Sequence, residues 1–325
     1  MNNVYEDVVA AIGHTPIVKL NRVCGKSPHT FWAKLEFLNP GGSVKDRIAV
    51  SIIEGAEKRG DLKPGGVIIE ATSGNTGLGL AMVAASKGYK CIFVMPEKVS
   101  EEKRTLLRAY GAEVLITPNA KDTADPNSYL SVSRRLAKET PNSLHTEQYF
   151  NLDNVQQHYK TTGPEIWKQM KDRLDVLVAG AGTGGTISGI GHYLKEVAPQ
   201  VQVILADPVG SIFRDLFYEK KVVSPPGPYF VEGVGQDMLP DNMQLKYLDG
   251  VVSVSDQQSF RATRDLVRME GICVGPSSGM ALAAALEWSK NLKKPSNILM
   301  IFPDNGRAYL SKAFNDQWLK DNKII

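Results

Sequence analysis

The sequence predicts an α/β fold of two domains, each a mostly parallel twisted sheet flanked by helices. Two observations carry this prediction. Short apolar runs rich in β-branched residues alternate with amphipathic stretches of about ten to fifteen residues in both halves of the chain, and this alternation is typical of parallel strands joined by helices. The length of 325 residues is also sufficient for two domains of ordinary size.

The predicted elements follow one another as this fold class requires. Strands are predicted in the short stretch before Leu20 and at residues 30–37, 67–70, 91–95, 113–116, 175–179, 201–206, 250–254 and 297–302. Helices are predicted at residues 46–58, 78–87, 101–110, 129–139, 162–171, 187–197, 256–270 and 280–291. Pro96 closes one strand, Gly111 stands in the C-cap position of one helix, and Pro164 lies near the start of another. Irregular segments are predicted at residues 118–127, 141–154 and 224–228.

Composition excludes several classes of protein. Hydrophobic residues make up 42% and charged residues 22% of the chain, and the formal net charge of +3 is too small to indicate nucleic-acid or membrane-surface binding. The longest apolar runs are too short to span a membrane, and the polar N-terminus has no signal-peptide pattern. The chain has only three cysteines, and its five histidines show no metal-ligand spacing. We therefore expect a cytoplasmic protein without a disulfide framework or a metal site.

Lys45 stands where a loop enters a helix. It follows a Pro-Gly-Gly turn at residues 40–42, and the helical pattern begins at the next residue. Because the helix dipole disfavours a positive charge at this end, the position suits an amine whose proton is easily removed. Such a lysine can act as a nucleophile toward a carbonyl group. An ordinary surface lysine is the alternative from this stretch alone.

A glycine-rich loop at residues 180–186 joins a strand to a helix. Its backbone N–H groups and the helix N-terminus favour an anion, and a phosphate is the expected ligand. The loop also has Gly-x-Gly-x-x-Gly spacing, with Asp207 at the end of the next strand, as in dinucleotide-binding proteins. On this motif alone, a nicotinamide-dependent dehydrogenase and a tight turn without a ligand are both open interpretations.

Two further loops lead into a helix. Residues 72–76 read Thr-Ser-Gly-Asn-Thr and offer hydroxyls, an amide and backbone donors, but no lysine or arginine. This donor set suits a carboxylate better than a polyphosphate, and the Gly-Lys-Ser/Thr ending of a P-loop is missing. Residues 275–279, Gly-Pro-Ser-Ser-Gly, indicate by themselves only a helix cap. The sequence contains no Gly-x-Ser-x-Gly motif on which a serine hydrolase would depend.

Together these segments resemble the cysteine synthase/cystathionine β-synthase family of pyridoxal-phosphate enzymes, which has fold type II and is similar to the tryptophan synthase β-subunit. Three motifs carry the resemblance: Gly-Gly-Ser-Val-Lys-Asp-Arg, Thr-Ser-Gly-Asn-Thr-Gly and Gly-Thr-Gly-Gly-Thr, in this order. It extends from residue 12 to about residue 318. The stretches that favour the cystathionine-forming branch are residues 94–98, 206–211, 231–237 and 302–305. Those that favour the cysteine-forming branch are residues 162–167 and 275–279.

The resemblance implies pyridoxal 5′-phosphate as the cofactor and gives roles to particular residues. Lys45 would hold the cofactor covalently and act as the catalytic base, Asn75 would contact its phenolic oxygen, and Ser277 would face its ring nitrogen. Residues implied to bind the cofactor phosphate are Gly182, Thr183, Gly184, Gly185 and Thr186. Residues implied to bind the substrate carboxylate are Thr72, Ser73, Gly74, Thr76 and Gln148.

The resemblance also implies a domain organisation and an assembly. A smaller, mobile domain at residues 36–150 would carry Lys45 and the carboxylate loop. A larger domain at residues 1–35 and 151–325 would carry the phosphate loop and Ser277. The protein is expected to be a homodimer that acts on small molecules.

The implied reaction is β-replacement on L-serine or an O-activated serine by a thiol, with homocysteine preferred and cystathionine as the product. Homocysteine has an ammonium group that needs an anion, which Glu232 and Asp237 would supply, and Gly233 leaves space beside them. Synthesis of cysteine from O-acetylserine and sulfide is the alternative. A dehydrogenase would leave Lys45 unexplained, as would a non-catalytic interaction protein. Gln236 departs from the tyrosine of eukaryotic members, and neither their heme-binding extension nor their regulatory domain is expected.

Overall fold

The structure is a computed structural model that describes residues 4–72, 74–97, 99–119 and 125–325. Within these residues the strands are β1 (Ile17–Lys19), β2 (Thr30–Leu35), β3 (Val67–Ala71), β4 (Lys90–Pro96), β5 (Glu113–Thr117), β6 (Ser143–His145), β7 (Val176–Gly180), β8 (Gln202–Pro208), β9 (Gly250–Val254) and β10 (Asn297–Phe302). The α-helices are α1 (Lys45–Arg59), α2 (Asn75–Lys87), α3 (Glu101–Ala109), α4 (Tyr129–Glu139), α5 (Asp153–Gln157), α6 (Gly163–Met170), α7 (Gly185–Val197), α8 (Phe213–Tyr218), α9 (Asp256–Asp265), α10 (Pro276–Ser289) and α11 (Asp316–Asp321).

The chain divides into two units, which we call the smaller and the larger unit. The smaller unit consists of Asn39–Asn154 together with the described residues before His14, and the larger unit consists of His14–Leu38 and Val155–Ile325. The sequence analysis instead expected residues 1–35 in the larger domain. The structure differs because Val9 and Ile12 pack against the apolar core of the smaller unit. This contact cannot be recognised from the local sequence.

The smaller unit contains a four-stranded parallel sheet in the order β5-β4-β3-β6. Its core combines Ile48 and Ile52 of α1, Leu80 of α2 and Phe93 of β4, which are all fully buried. Strand β6 lies in a segment predicted to be irregular. It has only three residues, too few to show a period of two, and pairing with β3 defines it.

The larger unit contains a six-stranded sheet in the order β1-β2-β10-β7-β8-β9, in which only the β1–β2 pair is antiparallel. Along β7, Val176 and Val178 belong to one apolar cluster, whereas Leu177 and Ala179 belong to another. Successive side chains of a strand point to opposite faces, so helices cover this sheet on both sides. The predicted α/β fold with mostly parallel sheets is confirmed.

The structure contains two π-helical turns that the sequence analysis did not predict. The predicted helix 256–270 is α-helical only as far as Asp265 and continues as a π-helical turn at Leu266–Glu270. A second π-helical turn, His158–Thr162, precedes α6. One extra residue per turn cannot be recognised from apolar periodicity, and such turns frequently mark functional sites.

The loops that the sequence singled out follow the carboxyl ends of parallel strands. The carboxylate loop, residues 72–76, follows β3, and the phosphate loop, residues 180–186, follows β7. In open α/β sheets this edge is where ligands bind. No helix among the described residues is long and apolar enough to cross a membrane.

Candidate active site

Lys45 is the first residue of α1 and is half-buried. Hydrogen bonds that close the turn before it include one from the Gly41 N–H to the Asp46 carboxylate at 2.7 Å and one from the Lys45 N–H to Ser43 Oγ at 3.2 Å. An ideal Cβ at Gly41 would lie 2.6 Å from Oδ1 of Asp46. A Cβ at this position would therefore displace the Asp46 carboxylate that closes the turn, and the closed turn sets where the Lys45 side chain leaves the backbone.

A close approach between α1 and α2 places Lys45 near the first turn of α2. An ideal Cβ at Gly79 would lie 3.0 Å from the carbonyl oxygen of Lys45 and 3.2 Å from Cα of Asp46. Half-buried Asn75 begins α2 one turn earlier. The sequence analysis did not identify Gly79, although a glycine inside a helical pattern is a recognised sign of close packing.

The carboxylate loop is held by the hydroxyl of Thr72. This buried oxygen accepts the N–H groups of Gly74 and Gly77, both at 3.2 Å. The two bonds fix the backbone of Gly74 and Gly77 at the start of α2. Ser73, which was predicted to bind the same carboxylate, lies outside the described residues.

A buried polar chain connects this loop to Gln148. Thr76 donates its hydroxyl proton to Gln148 Oε1 at 2.7 Å, and Gln148 Nε2 donates to Glu70 Oε1 at 3.1 Å. Thr146 donates to the other oxygen of Glu70. The structure thus brings Thr72, Thr76 and Gln148 together as predicted for one ligand group, and it adds Glu70, which the sequence analysis did not identify.

The phosphate loop is tightly enclosed within the larger unit. Gly184 has φ +86°, and an ideal Cβ there would lie 2.6 Å from the Cα of Met243. An ideal Cβ at Gly182 would lie 2.5 Å from the carbonyl oxygen of Gly233. Gly184 is also the N-cap of α7 and has no side chain with which to cap that helix. Thr183 Oγ1 accepts the N–H of Gly185 at 3.5 Å, and the start of the helix favours an anion through its dipole.

His158 fixes one hydroxyl of the phosphate loop. This buried histidine hydrogen-bonds through Nδ1 to Thr162 Oγ1 at 2.9 Å and through Nε2 to Thr186 Oγ1 at 3.1 Å. It begins the π-helical turn before α6. The sequence analysis noted only that the histidines lack metal-ligand spacing and did not identify His158, because its hydrogen-bond partners are brought together only when α7 packs beside this turn.

Ser277 lies in the first turn of α10 and is only 4% exposed. The same helix approaches the phosphate loop, since an ideal Cβ at Gly180 would lie 3.0 Å from Cε of Met280 and 2.8 Å from Cγ1 of Val234. The larger unit therefore assembles three predicted segments: the phosphate loop, the start of α10 and the loop that contains Gly233.

The two acids predicted to bind the thiol substrate differ in environment. Glu232 is half-buried and forms an ion pair of 2.5 Å with Lys312. Asp237 is exposed. The loop that contains them is tied to the phosphate loop by a bond from the Gly235 N–H to the carbonyl oxygen of Ala181, at 2.8 Å. The ion pair with Lys312 makes Glu232 less available as a partner for a ligand ammonium, whereas Asp237 is exposed to solvent.

Asp207 does not present the arrangement that dinucleotide binding requires. Its side chain is fully buried, and its Oδ2 accepts the N–H of Arg214 at 3.1 Å. Burial raises the pKa of this carboxyl to about 7. A carboxylate enclosed in this way cannot receive a ribose hydroxyl, so the structure does not support the dehydrogenase interpretation.

Residues 8–304 match the family described as pyridoxal-phosphate dependent enzyme. The chain belongs to this family. Among the described residues, no three histidine, cysteine or acidic side chains gather as a metal site would need. The family resemblance identified from the motifs is confirmed.

Curated relatives with similar sequences are cystathionine β-synthases. The chain is 47% identical to that of Apis mellifera over 98% of its length, 44% identical to that of Mus musculus over 96%, and 43% identical to that of Saccharomyces cerevisiae over 98%. It spans 63%, 56% and 64% of these relatives, respectively. The predicted similarity to these proteins is confirmed for the part of their length that the chain spans.

Solved structures with the same fold include two enzymes of serine chemistry. An O-ureido-L-serine synthase superposes with a TM-score of 0.88 at 33% identity, covering 98% of this chain and 99% of that one. An O-acetylserine-dependent cystathionine β-synthase from Helicobacter pylori superposes with a TM-score of 0.86 at 39% identity, covering 95% and 98%. The expected fold type II architecture is confirmed.

The residues present fit pyridoxal phosphate. The phosphate loop is a cradle in which a Cβ at Gly182 or Gly184 would collide with backbone atoms, and it leads into the N-terminus of α7. A phosphate suits such a cradle, because backbone N–H groups and the helix dipole both favour an anion. Lys45 supplies a primary amine for the aldehyde, and Ser277 supplies a neutral hydroxyl suited to a pyridine nitrogen.

Proposed function

We propose that the protein catalyses β-replacement on L-serine or an O-activated serine, with homocysteine as the preferred thiol and cystathionine as the product. Cystathionine β-synthases at 43–47% identity support this activity, as does the fold shared with an O-acetylserine-dependent member. The observation that carries the reaction type is Ser277, a neutral hydroxyl buried at the start of α10. The relatives named above do not favour the cysteine synthase alternative.

The neutral hydroxyl of Ser277 favours replacement for an electrostatic reason. When bound, pyridoxal phosphate supplies the electron sink that acidifies the α-carbon of an amino acid. An acidic partner would keep the ring nitrogen protonated and the sink deep, whereas a hydroxyl does not. Electron density at the α-carbon is then more readily used to expel a group from the β-carbon than to transfer the amino group.

The chain's own residues would position the substrate and move the protons. Lys45 would hold the cofactor, take the α-proton and return it to a departing β-hydroxyl. It would then take the proton of the incoming thiol and deliver it to the α-carbon. The phosphate loop, residues 182–186, would hold the phosphate, and Asn75 the phenolic oxygen. The carboxylate loop and Gln148 would orient the substrate through its carboxylate. Excluding water would prevent loss of the substrate as pyruvate and ammonia.

The choice of substrates is tested by a matrix of two amino acids against two thiols. We expect the highest kcat/KM with homocysteine, combined with L-serine or O-acetylserine, because Asp237 offers an anion to its ammonium group. The leaving group is the second variable, since a hydroxyl leaves poorly without a proton donor and an acetate leaves readily. Product identity is read by mass spectrometry. Dominance of O-acetylserine with sulfide, with no cystathionine formed, would make the protein a cysteine synthase.

A substitution at the ring-nitrogen position tests the reaction type. Ser277→Asp places a carboxylate where the neutral hydroxyl stands, so the ring nitrogen should become protonated and the rate of replacement should fall at least about tenfold. Ser277→Ala, which stays neutral, is the matched control and should retain most of the rate. Both variants are compared at equal cofactor content, measured by visible absorbance. A Ser277→Asp rate equal to that of the parent enzyme would show that Ser277 does not face the ring nitrogen.

We also propose a cytoplasmic homodimer that works in cysteine biosynthesis, with a smaller unit that moves during turnover. The family resemblance supports the dimer and the pathway, and the few scattered cysteines suit a reducing compartment. The separate apolar core of the smaller unit supports movement as a body. Size-exclusion chromatography with light scattering tests the dimer.

A further inference from the structure

Glu70 is a buried carboxylate that organises three consecutive residues of the smaller unit. It lies on β3 and is 3% exposed. Its oxygens accept hydrogen bonds from the Thr146 hydroxyl, the Glu147 backbone N–H and the Gln148 side-chain amide. Three donors from one short turn converge on a single carboxylate, which is how a buried charge is stabilised in proteins.

The turn that supplies these donors has an unusual backbone. Glu147 has φ +45°, in the left-handed region that non-glycine residues seldom adopt. Asn154 donates to the carbonyl oxygen of Gln148 at 2.9 Å and holds the turn from the other side. Strained backbone of this kind persists where the surroundings demand it and is frequent at ligand sites. The strained turn therefore holds the side chain of Gln148 in a fixed position.

The charge of Glu70 determines how the amide of Gln148 is turned. An ionised carboxylate accepts hydrogen bonds and cannot donate them, so the amide nitrogen must face Glu70. The amide oxygen then faces Thr76, whose hydroxyl must donate to it. A neutral group in place of Glu70 would accept either orientation of the amide. The orientation of the Gln148 amide and the Thr76 hydroxyl, which were both predicted to bind the substrate carboxylate, thus depends on the charge of Glu70.

We propose that Glu70 is a positioning residue for substrate carboxylate recognition, which sets the amide of Gln148 and, through it, the hydroxyl of Thr76. The inference rests on the proposed function, in which the carboxylate loop and Gln148 bind the α-carboxylate of the amino-acid substrate. Glu70 itself lies beneath these side chains and acts on the substrate only through them.

The surroundings of Glu70 make its effect on the amide of Gln148 sensitive to pH near neutrality. Burial raises the pKa of Glu70 to about 7, and the bonds from Thr146 and Gln148 oppose that rise. The carboxylate of Glu147 is a charged neighbour of Glu70 and also raises its pKa. Oε1 of Glu147 lies 3.9 Å from Nε of Arg134 on α4 and 3.6 Å from Nδ1 of His145 on β6. On β4 the register partner of Glu70 is the apolar Phe93, and α2 contributes the uncharged Thr76.

The test compares two ligands that differ only in the carboxylate. Affinities of the holoenzyme for L-serine and for L-serinamide are measured from the change in visible absorbance of the cofactor. In Glu70→Gln we expect the Kd for L-serine to rise at least tenfold and that for L-serinamide to change less than threefold. The control Glu113→Gln removes an exposed carboxylate of β5 in the same sheet and should alter neither Kd. Equal weakening of both ligands, or an unchanged preference for L-serine, would overturn the proposal.

The same titrations separate this proposal from the proposed function. A parent enzyme that binds both ligands equally would show that the carboxylate loop does not recognise a carboxylate, and both ideas would fail. A parent that prefers L-serine, with Glu70→Gln keeping the preference, would overturn only the role of Glu70.

A second pair of variants keeps Glu70 in place. In the parent enzyme the preference for L-serine should strengthen as pH rises through about 7 and Glu70 ionises. Thr146→Val removes a bond that lowers the pKa of Glu70, so the midpoint of this change should move to higher pH. Thr146→Ser keeps the hydroxyl and should keep the parent midpoint. An identical midpoint in the Val and Ser variants would overturn the proposal even if Glu70→Gln fails to fold.

Discussion

Replacing Lys45 with alanine should lower turnover by at least about a thousandfold while leaving the protein folded. Under the proposed mechanism, one amine holds the cofactor and carries the proton at the α-carbon, so a single substitution removes both functions. Folding should survive because alanine is the best helix former, and Lys45 is the first, half-buried residue of α1. The measurement is kcat with the preferred substrate pair, accompanied by thermal unfolding.

A chemical readout accompanies the kinetics. Borohydride reduction of the holoenzyme, followed by peptide mass spectrometry, should place the cofactor on Lys45 in the parent and on no residue in Lys45→Ala. The matched control is Lys58→Ala, an exposed lysine near the end of the same helix, which should behave as the parent does. Turnover close to normal in Lys45→Ala, or a label on another lysine of the parent, would remove Lys45 from both roles.

Replacing Gly184 with alanine should weaken cofactor binding about a hundredfold. The left-handed backbone at φ +86° strains any residue with a Cβ, and the added carbon would lie 2.6 Å from the Cα of Met243. Strain and overpacking each cost about 1 to 3 kcal/mol, and a total of about 3 kcal/mol corresponds to about a hundredfold in affinity. Backbone atoms cannot rotate away as the tip of a side chain can, so the loop must shift. Its N–H groups would then no longer point at the cofactor phosphate. The measurement is the Kd of the apoenzyme for pyridoxal phosphate.

The chain offers a matched control for this substitution. Gly227 lies in the same unit, and its ideal Cβ would be 3.7 Å from the nearest atom, an ordinary contact. Gly227→Ala should therefore leave both the Kd and the melting temperature almost unchanged. If Gly184→Ala binds the cofactor as tightly as the parent does, and melts at the same temperature, the cradle does not depend on glycine at this position.

Most strands and helices of the fold were predictable because their signals are local. The apolar run of β3 and the alternation of faces along α1 repeat over a few residues, and such periods survive in any tertiary context. Elements defined by their partners were not predictable. Strand β6 exists because β3 lies beside it, and the π-helical turn His158–Thr162 is not distinguished by any apolar period.

The candidate site divides in the same way. Lys45, the carboxylate loop and the phosphate loop were predicted because glycines and small polar residues between a strand and a helix have few other uses. Gly79 and His158 were missed, since each matters only through an element that packs against it. Glu232 was predicted as an anion for the substrate, and only the structure shows that it forms an ion pair with Lys312.

Residue order was enough to predict the α/β class, the loops at the strand ends and the residue types expected of a pyridoxal-phosphate enzyme, because those depend on order along the chain. How these residues are supported became visible only in the folded structure. Glu70 and Gln148 are 78 positions apart, and His158 and Thr186 are 28 positions apart. A hydrogen bond depends on distance in space and on the direction of the donor. Neither quantity is contained in residue order, so the groups that orient the site emerge only once the sheets and helices have packed.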